Sequence, residues 1–112
     1  MGSDPASLAD SVEWFRKRFR PDAARDLTVS YQMELSGEGG GVLSVRVDRG
    51  GLEVSEGPMD APDVVYRMSA ADFFAILAST ANPDLLYMAE RIEIEGDLSL
   101  ALKLRALFSN PA

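Results

Sequence analysis

From Leu27 to Leu35 every second residue is apolar: Leu27, Val29, Tyr31, Met33 and Leu35 alternate with Thr28, Ser30, Gln32 and Glu34. A period of two puts the first set on one face of a β-strand. The same period runs through Val42 to Val47, through Leu52-Glu53-Val54-Ser55, through Val64, Tyr66 and Met68, and through Arg91-Ile92-Glu93-Ile94-Glu95, so five strands are predicted. Gly37-Glu38-Gly39-Gly40-Gly41 and Arg49-Gly50-Gly51 separate the first three. Glycines accept the positive φ angles of tight hairpins, so those three strands are antiparallel neighbours. The glycine cluster is no phosphate loop, because a strand follows it and not a helix N-terminus.

Elsewhere the period is helical. Leu8, Val12, Phe15 and Phe19 fall at i, i+4, i+7 and i+11 of a helix that Asp4-Pro5 is expected to open. Arg16-Lys17-Arg18 and Arg20 complement the dipole at its end, and Pro21-Asp22 breaks it. Ser69 and Asp72 have the spacing of a capping box ahead of Phe73, Phe74, Ile76 and Leu77. Asn82-Pro83 starts a second short helix bearing Leu85, Leu86, Tyr87 and Met88. Gly96-Asp97 ends the last strand and caps a closing helix striped with Leu100, Ala101, Leu104, Leu107 and Phe108, while Lys103 and Arg105 lie off the stripe. Strands wet on one face, together with one-sided helices, specify an α+β fold: a five-stranded, mostly antiparallel sheet with helices packed on one face.

Composition narrows the function. The 112 residues, 46% of them hydrophobic, suit a single domain spanning 1–112, with Met1-Gly2-Ser3 read as a cloning scar, a disordered start or a native one. A net charge of −7 argues against nucleic acid as partner and sets the overall field against an anionic membrane, although the local Arg16-Lys17-Arg18 end beside Trp14 suits transient membrane contact. There is no cysteine, no signal peptide pattern and no apolar run near 18 residues, which makes a cytoplasmic protein the expectation. Without histidine or cysteine, the usual neutral-pH acid–base group, the thiolate nucleophile and zinc's preferred ligands are missing. Asp60 and Asp63 lack calcium-loop spacing. Glu93 and Glu95 imitate a catalytic pair, but on an alternating strand they read as a solvated face paired across to Arg46 or Arg67. No enzyme, metal or cofactor is expected.

The order Pro83, Tyr87-Met88, Ile92, Ile94, Gly96-Asp97, Ala101, Lys103-Leu104 resembles the closing signature of the sterol carrier protein 2 family, a lipid-binding domain that also occurs alone in bacteria. Asp63-Val64-Val65, Met68-Ser69 and Asp72-Phe73 fit the same family, so the resemblance covers the second half closely. Two departures stand out: Ser79 and Glu90 occupy positions where the family commonly has glycine, which predicts strain or a different turn there. The resemblance implies an apolar cavity between sheet and helices, closed partly by the last helix and holding a fatty acid, acyl-CoA, phospholipid, isoprenoid or sterol-like ligand. Its expected lining is Val29, Tyr31, Met33, Val45, Val47, Tyr66, Phe73, Leu77, Leu85, Met88, Ile92, Leu100, Leu104 and Phe108, with a polar head oriented by Tyr66, Gln32 or Arg67. Two other readings stay open: an accessory scaffold presenting hydrophobic intermediates to partner enzymes, as in quinone biosynthesis, and a homodimeric interaction module without ligand.

Overall fold

The computed structural model describes residues 5–108; Asp4 and the Met1-Gly2-Ser3 start lie outside them. Its elements are α1 (Leu8–Arg18), a 3-10 turn (Pro21–Ala24), β1 (Thr28–Ser36), β2 (Gly41–Asp48), β3 (Gly51–Glu56), β4 (Val64–Ser69), α2 (Ala70–Leu77), α3 (Pro83–Met88), β5 (Glu93–Gly96) and α4 (Leu98–Leu107). The sheet order is β3-β2-β1-β4-β5, antiparallel throughout except where β1 and β4 run parallel. This is the expected α+β plan. The Arg49-Gly50 turn, at φ 45° and 86°, joins β2 to β3 with both central residues in the positive region that such hairpins require.

One face of the sheet is a continuous apolar layer. Val29, Tyr31, Met33, Leu35, Leu43, Val45, Val47, Val54, Val64, Tyr66 and Met68 are all buried, together with Phe15 of α1, Phe73 and Leu77 of α2, and Ala101 and Leu107 of α4. The opposite face was expected to be wet across all five strands, and there the structure differs. The segment between β3 and β4 folds back over it: the Ser44 hydroxyl donates to the Gly57 carbonyl, the Met59 N–H donates to Gln32 Oε1 at 3.0 Å, and Gln32 and Ser44 are buried beneath. The same segment ends in Asp63, whose carboxylate accepts from the Ser30 N–H at 2.9 Å and whose own N–H donates to the Ser30 carbonyl at 3.0 Å. That clasp delivers β4 alongside β1 in the parallel sense.

Helix ends correct several boundaries. α1 starts at Leu8 and not at Asp4-Pro5, because the Ser7 hydroxyl accepts from the Asp10 N–H and the Asp10 carboxylate accepts from the Ala6 N–H, each at 3.1 Å. Ser69 caps α2 as expected, accepting from the Asp72 N–H at 3.0 Å, but Asp72 does not complete a capping box. Its carboxylate instead takes two hydrogen bonds from Arg91, at 2.6 and 3.1 Å. Asn82 and Asp97 cap α3 and α4. Since Arg91 is used to close α3, β5 begins at Glu93 and not at Arg91.

The two glycine-replacing residues share one task. At the end of α2 the Ser79 N–H donates to the Ile76 carbonyl and the Thr80 N–H to the Ala75 carbonyl; at the end of α3 the Glu90 N–H donates to Tyr87 and the Arg91 N–H to Leu86. These are paired Schellman closures, which need a left-handed residue one step past the cap. Ser79 and Glu90 are that residue, at φ 62° and 61°. A side chain in that region costs roughly 1–2 kcal/mol relative to glycine. Gly96 shows the reverse case: at φ 110°, a Cβ added there would lie 2.3 Å from the Asp63 carbonyl oxygen. Glu90→Gly is therefore expected to raise unfolding stability by about 1 kcal/mol, and Gly96→Ala to lower it by about 2 kcal/mol or more. Urea midpoints of the two variants, moving in opposite directions at unchanged slope, check both.

Candidate functional site

The apolar layer is closed by α4, and two phenols hold that helix in place. Tyr31 stands on the central strand β1, and Tyr66 stands two residues further along on the parallel neighbour β4, since Tyr31 is paired with Val64 and Met33 with Tyr66. Their rings lie 6.2 Å apart between centroids. Tyr31 Oη donates to the Leu100 carbonyl at 2.7 Å, and Tyr66 Oη donates to the Ala101 carbonyl at 3.0 Å. Two adjacent carbonyls near the start of α4 are thus gripped from the sheet. The far end of α4 is tied differently, by a Phe19–Phe108 bridge and the Arg20 N–H donating to the Leu107 carbonyl at 2.8 Å.

An aromatic cluster fills the angle between α1, α2 and α4. Phe15 meets Phe108 edge-on at 4.8 Å, Trp14 meets Phe15 edge-on at 5.2 Å, and Phe73 lies tilted at 6.3 Å from Phe15. The Trp14 indole N–H donates to the Leu77 carbonyl at 3.0 Å, fastening α1 to the end of α2. Edge-on pairs set the positive rim of one ring against the negative face of the other, and each adds about 0.5–1.5 kcal/mol beyond burial.

Of the residues expected to line a ligand, Val29, Tyr31, Met33, Val45, Val47, Tyr66, Phe73, Leu77, Ile92 and Phe108 are buried together in this one layer, and Leu100 and Leu104 are partly buried against it. Leu85 and Met88 are elsewhere, 63% and 77% exposed, because α3 is only six residues long and places Leu86 alone against the core. Gln32 and Arg67 cannot orient a head group in this layer. They alternate with Tyr31, Met33, Tyr66 and Met68, so their side chains leave the sheet on the opposite face.

That opposite face carries the charges. Arg67 donates to Glu34 at 2.9 Å and to Glu95 at 2.8 Å, with Glu93 at 3.7 Å. The cross-strand partner expected for Glu93 and Glu95 is thus Arg67. Hydrogen bonds from Gln32 and then Arg67 hold the Glu34 carboxyl below its ordinary range. An open cleft of about 510 Å³ lies beside this network, lined by Glu34, Arg67, Glu90, Arg91 and Glu93 with Leu35, Val42 and Met68 among the apolar walls. Among the described residues no group of three or more acidic, histidine or cysteine side chains is placed to hold a metal ion, and no helix is long and apolar enough to cross a membrane. The tyrosine grip was missed from sequence; its only trace is a hydroxyl-bearing ring at an inward position on each of two strands.

Burial, and secondarily the charge of Asp63, push the Tyr31 phenol well above its usual range. A raised phenol favours the folded state fully below pH ~10, where an unfolded tyrosine is still neutral, and loses that advantage as pH climbs toward the folded value. Wild-type protein should therefore lose more stability between pH 8 and pH 11 than Tyr31→Phe, which at neutral pH should be about 1 kcal/mol less stable through the lost hydrogen bond. Urea titrations at both pH values measure this; equal alkaline losses in the two proteins would refute it.

A model of the SCP-2 sterol transfer family matches residues 14–109. The hydroxysteroid dehydrogenase-like protein 2 of Xenopus laevis is 31% identical over 106 residues, which are 93% of this chain and 25% of that protein, so the chain spans about a quarter of this relative's length. Sterol Carrier Protein 2 Like 2 from Aedes aegypti superimposes with a TM-score of 0.67 at 26% identity, covering 87% of this chain and 89% of that one; its palmitated form in solution gives 0.68 at 24%, covering 91% of each. The UbiJ-SCP2 ubiquinone synthesis protein shares the fold, with a TM-score of 0.66 at 15% identity over 89% of this chain and 90% of its own. Matched by the family model over nearly all of its described length, and built on the fold of the mosquito sterol carrier protein, the chain belongs to the SCP-2 sterol transfer family.

Proposed function

We propose that this chain carries a single hydrophobic molecule, with a fatty acid, acyl-CoA, phospholipid, isoprenoid or sterol-like tail, between the inner face of its sheet and its helices, and that it does so without catalysis. The observation that carries this reading is the grip on α4. A helix that covers an unbroken apolar face, fastened near its start by two phenolic hydrogen bonds, can be released without unravelling the sheet. Each such bond contributes on the order of 1 kcal/mol, a small barrier beside the whole domain. The opened layer would offer about 0.8 kcal/mol for each CH₂ it takes from water. The lining proposed for this ligand includes Tyr31, Met33, Tyr66, Phe73, Leu100 and Leu104.

Energetics favour a space that forms with its ligand. A permanent dry void of ~300 Å³ would cost roughly 7 kcal/mol at about 24 cal/mol per Å³, as much as many domains' total stability. The palmitated state of the Aedes aegypti relative supports an acyl chain as one cargo. Absence of catalysis is supported by the lack of histidine and cysteine and by the ion pairs that occupy Glu93 and Glu95. Transient contact of the Arg16-Lys17-Arg18 end of α1 with a donor bilayer belongs to the same reading; there Arg18 stacks 4.7 Å from the centre of the Trp14 ring. A second reading, an accessory scaffold offering greasy intermediates to partner enzymes, draws support from the shared fold of the UbiJ-SCP2 ubiquinone synthesis protein.

Native mass spectrometry of freshly purified protein, repeated after organic extraction, is expected to show one lipid per chain that extraction removes. A clean apo mass with no uptake of offered fatty acids, acyl-CoAs or isoprenoids would end the carrier reading. Tyr31→Phe/Tyr66→Phe is expected to release a bound fluorescent fatty acid about tenfold faster than wild type in stopped-flow displacement, because both fastenings of α4 are gone.

A further inference from the structure

Seven of the eleven basic residues fall in two short stretches: Arg16, Lys17, Arg18, Arg20 and Arg25 at the end of α1 and just beyond, and Lys103 and Arg105 in α4. Asp22 is the single acid between Arg16 and Arg25, and there is none from Leu98 to Phe108, in a chain whose net charge is −7. The two stretches are neighbours in space. Phe19 bridges to Phe108, the Arg20 N–H donates to the Leu107 carbonyl, and α4 packs against the 3-10 turn. An otherwise acidic molecule therefore sets Lys17, Arg18 and Arg20 beside the end of α4, while Arg16 is paired with Glu13 at 3.0 Å and Arg25 with Asp22 at 3.8 Å.

The outer side of the same helix is unusual as well. Its inner side is accounted for by Ala101 and Leu107, which are buried, and by Leu100 and Leu104, which pack against the core. Yet Leu98 and Leu102, one turn apart on the other side, are 53% and 75% exposed, with Lys103 exposed beside them. A helix that only covers a core has polar residues there. Large apolar side chains with Lys103 beside them, and with the basic end of α1 at the far end of the helix, match a surface that is greasy inside and anionic outside, with the capping Asp97 the one acid next to Leu98.

We propose that the outer face of α4 docks on an anionic phospholipid bilayer. Leu98 and Leu102 enter the boundary between head groups and acyl chains, while Lys103 and the basic stretch from Arg16 to Arg20 meet the lipid phosphates. The inference deepens the carrier reading and rests on it for its purpose: docking would set the bilayer against the helix that Tyr31 and Tyr66 hold down. The other exposed apolar group, Leu85, Tyr87 and Met88 on α3, fits that partner less well: Asp84 and Glu90 lie on both sides of it and the nearest cation, Arg91, is paired with Asp72, whereas α4 has one adjacent acid, Asp97, and the exposed Lys103 within it.

The test is vesicle flotation of the full chain. With vesicles of equal parts phosphatidylcholine and phosphatidylglycerol in 0.1 M salt, wild type is expected to float. Binding should fall at least about tenfold in 1 M salt, where the Debye length shrinks to about 3 Å, and on pure phosphatidylcholine. Leu98→Asn/Leu102→Asn should weaken binding by at least about tenfold; both side chains are exposed, and an unchanged melting temperature verifies the fold. Leu85→Asn/Met88→Asn should bind as wild type does. No flotation of wild type with the anionic vesicles, equal binding to the neutral ones, undiminished binding of the α4 pair, or equal loss from the α3 pair would each overturn the proposal. So would a wild-type dimer in ultracentrifugation that the α4 pair dissociates, since that face would then belong to a second copy. Bound lipid in native mass spectrometry without flotation overturns the docking and leaves the carrier reading standing; flotation without bound lipid supports docking and removes the carrier.

Discussion

A phenol carried into an apolar layer must find an acceptor or lose the free energy of hydrating its hydroxyl. Tyr31 and Tyr66 find theirs in successive carbonyls of α4, and the position of that helix depends on them. The pairing depends in turn on register. With β1 and β4 parallel and Met33 opposite Tyr66, the two rings point the same way and sit one pleat apart. A slip of one residue would send Tyr66 to the other face and leave Ala101 without its donor. Register is held by the Asp63–Ser30 clasp, four hydrogen bonds made before β4 begins. A short polar contact at the end of the β1–β4 ladder thus decides where a helix lies on the sheet's other face.

The segment from α2 to β5 obeys a looser regime. α3 buries no residue, and its ends are turned by Ser79 and Glu90 in a conformation that glycine adopts more readily. What secures it is the ion pair of Arg91 with Asp72, two hydrogen bonds that fasten Arg91, three residues past α3, to the first turn of α2. Asp72 is largely buried while Arg91 is well exposed, so the pair keeps part of its Coulomb attraction without the full desolvation cost of a buried pair. Local unfolding draws on segments of this kind, with few buried contacts between strained turns.

Much of this was legible in the chain itself. The five strands, the hairpins and the caps at Ser69, Asn82 and Asp97 follow from alternation and from side chains that bond their own backbone, which are local effects. What stayed hidden is what depends on distant partners. Nothing near Asp72 announces Arg91, nineteen residues on, and nothing near Gln32 announces the loop that buries it. The start of α1 was legible too: Ser7 and Asp10 have the same spacing as Ser69 and Asp72, although the expectation of a start at Asp4-Pro5 made no use of it. At the candidate site, the inward residues of β1, β2 and β4 were readable from period two, whereas Leu85 and Met88 were misjudged because six helical residues are too few to turn a second apolar face inward.

The two outermost strands have a consequence for how the chain behaves in a crowd. β5 is four residues long, bears Glu93 and Glu95 already engaged by Arg67, and ends at a glycine that bends the backbone away. β3, at the other edge, bears Glu53 and Glu56. Unpaired strand edges are templates on which further strands can grow into fibrils, and shortness, charge and a kink are what deny them that growth. Opening of the apolar layer, as the carrier proposal requires, would thereby confine the exposed surface to the helix side and leave the backbone edges of the sheet closed to propagation.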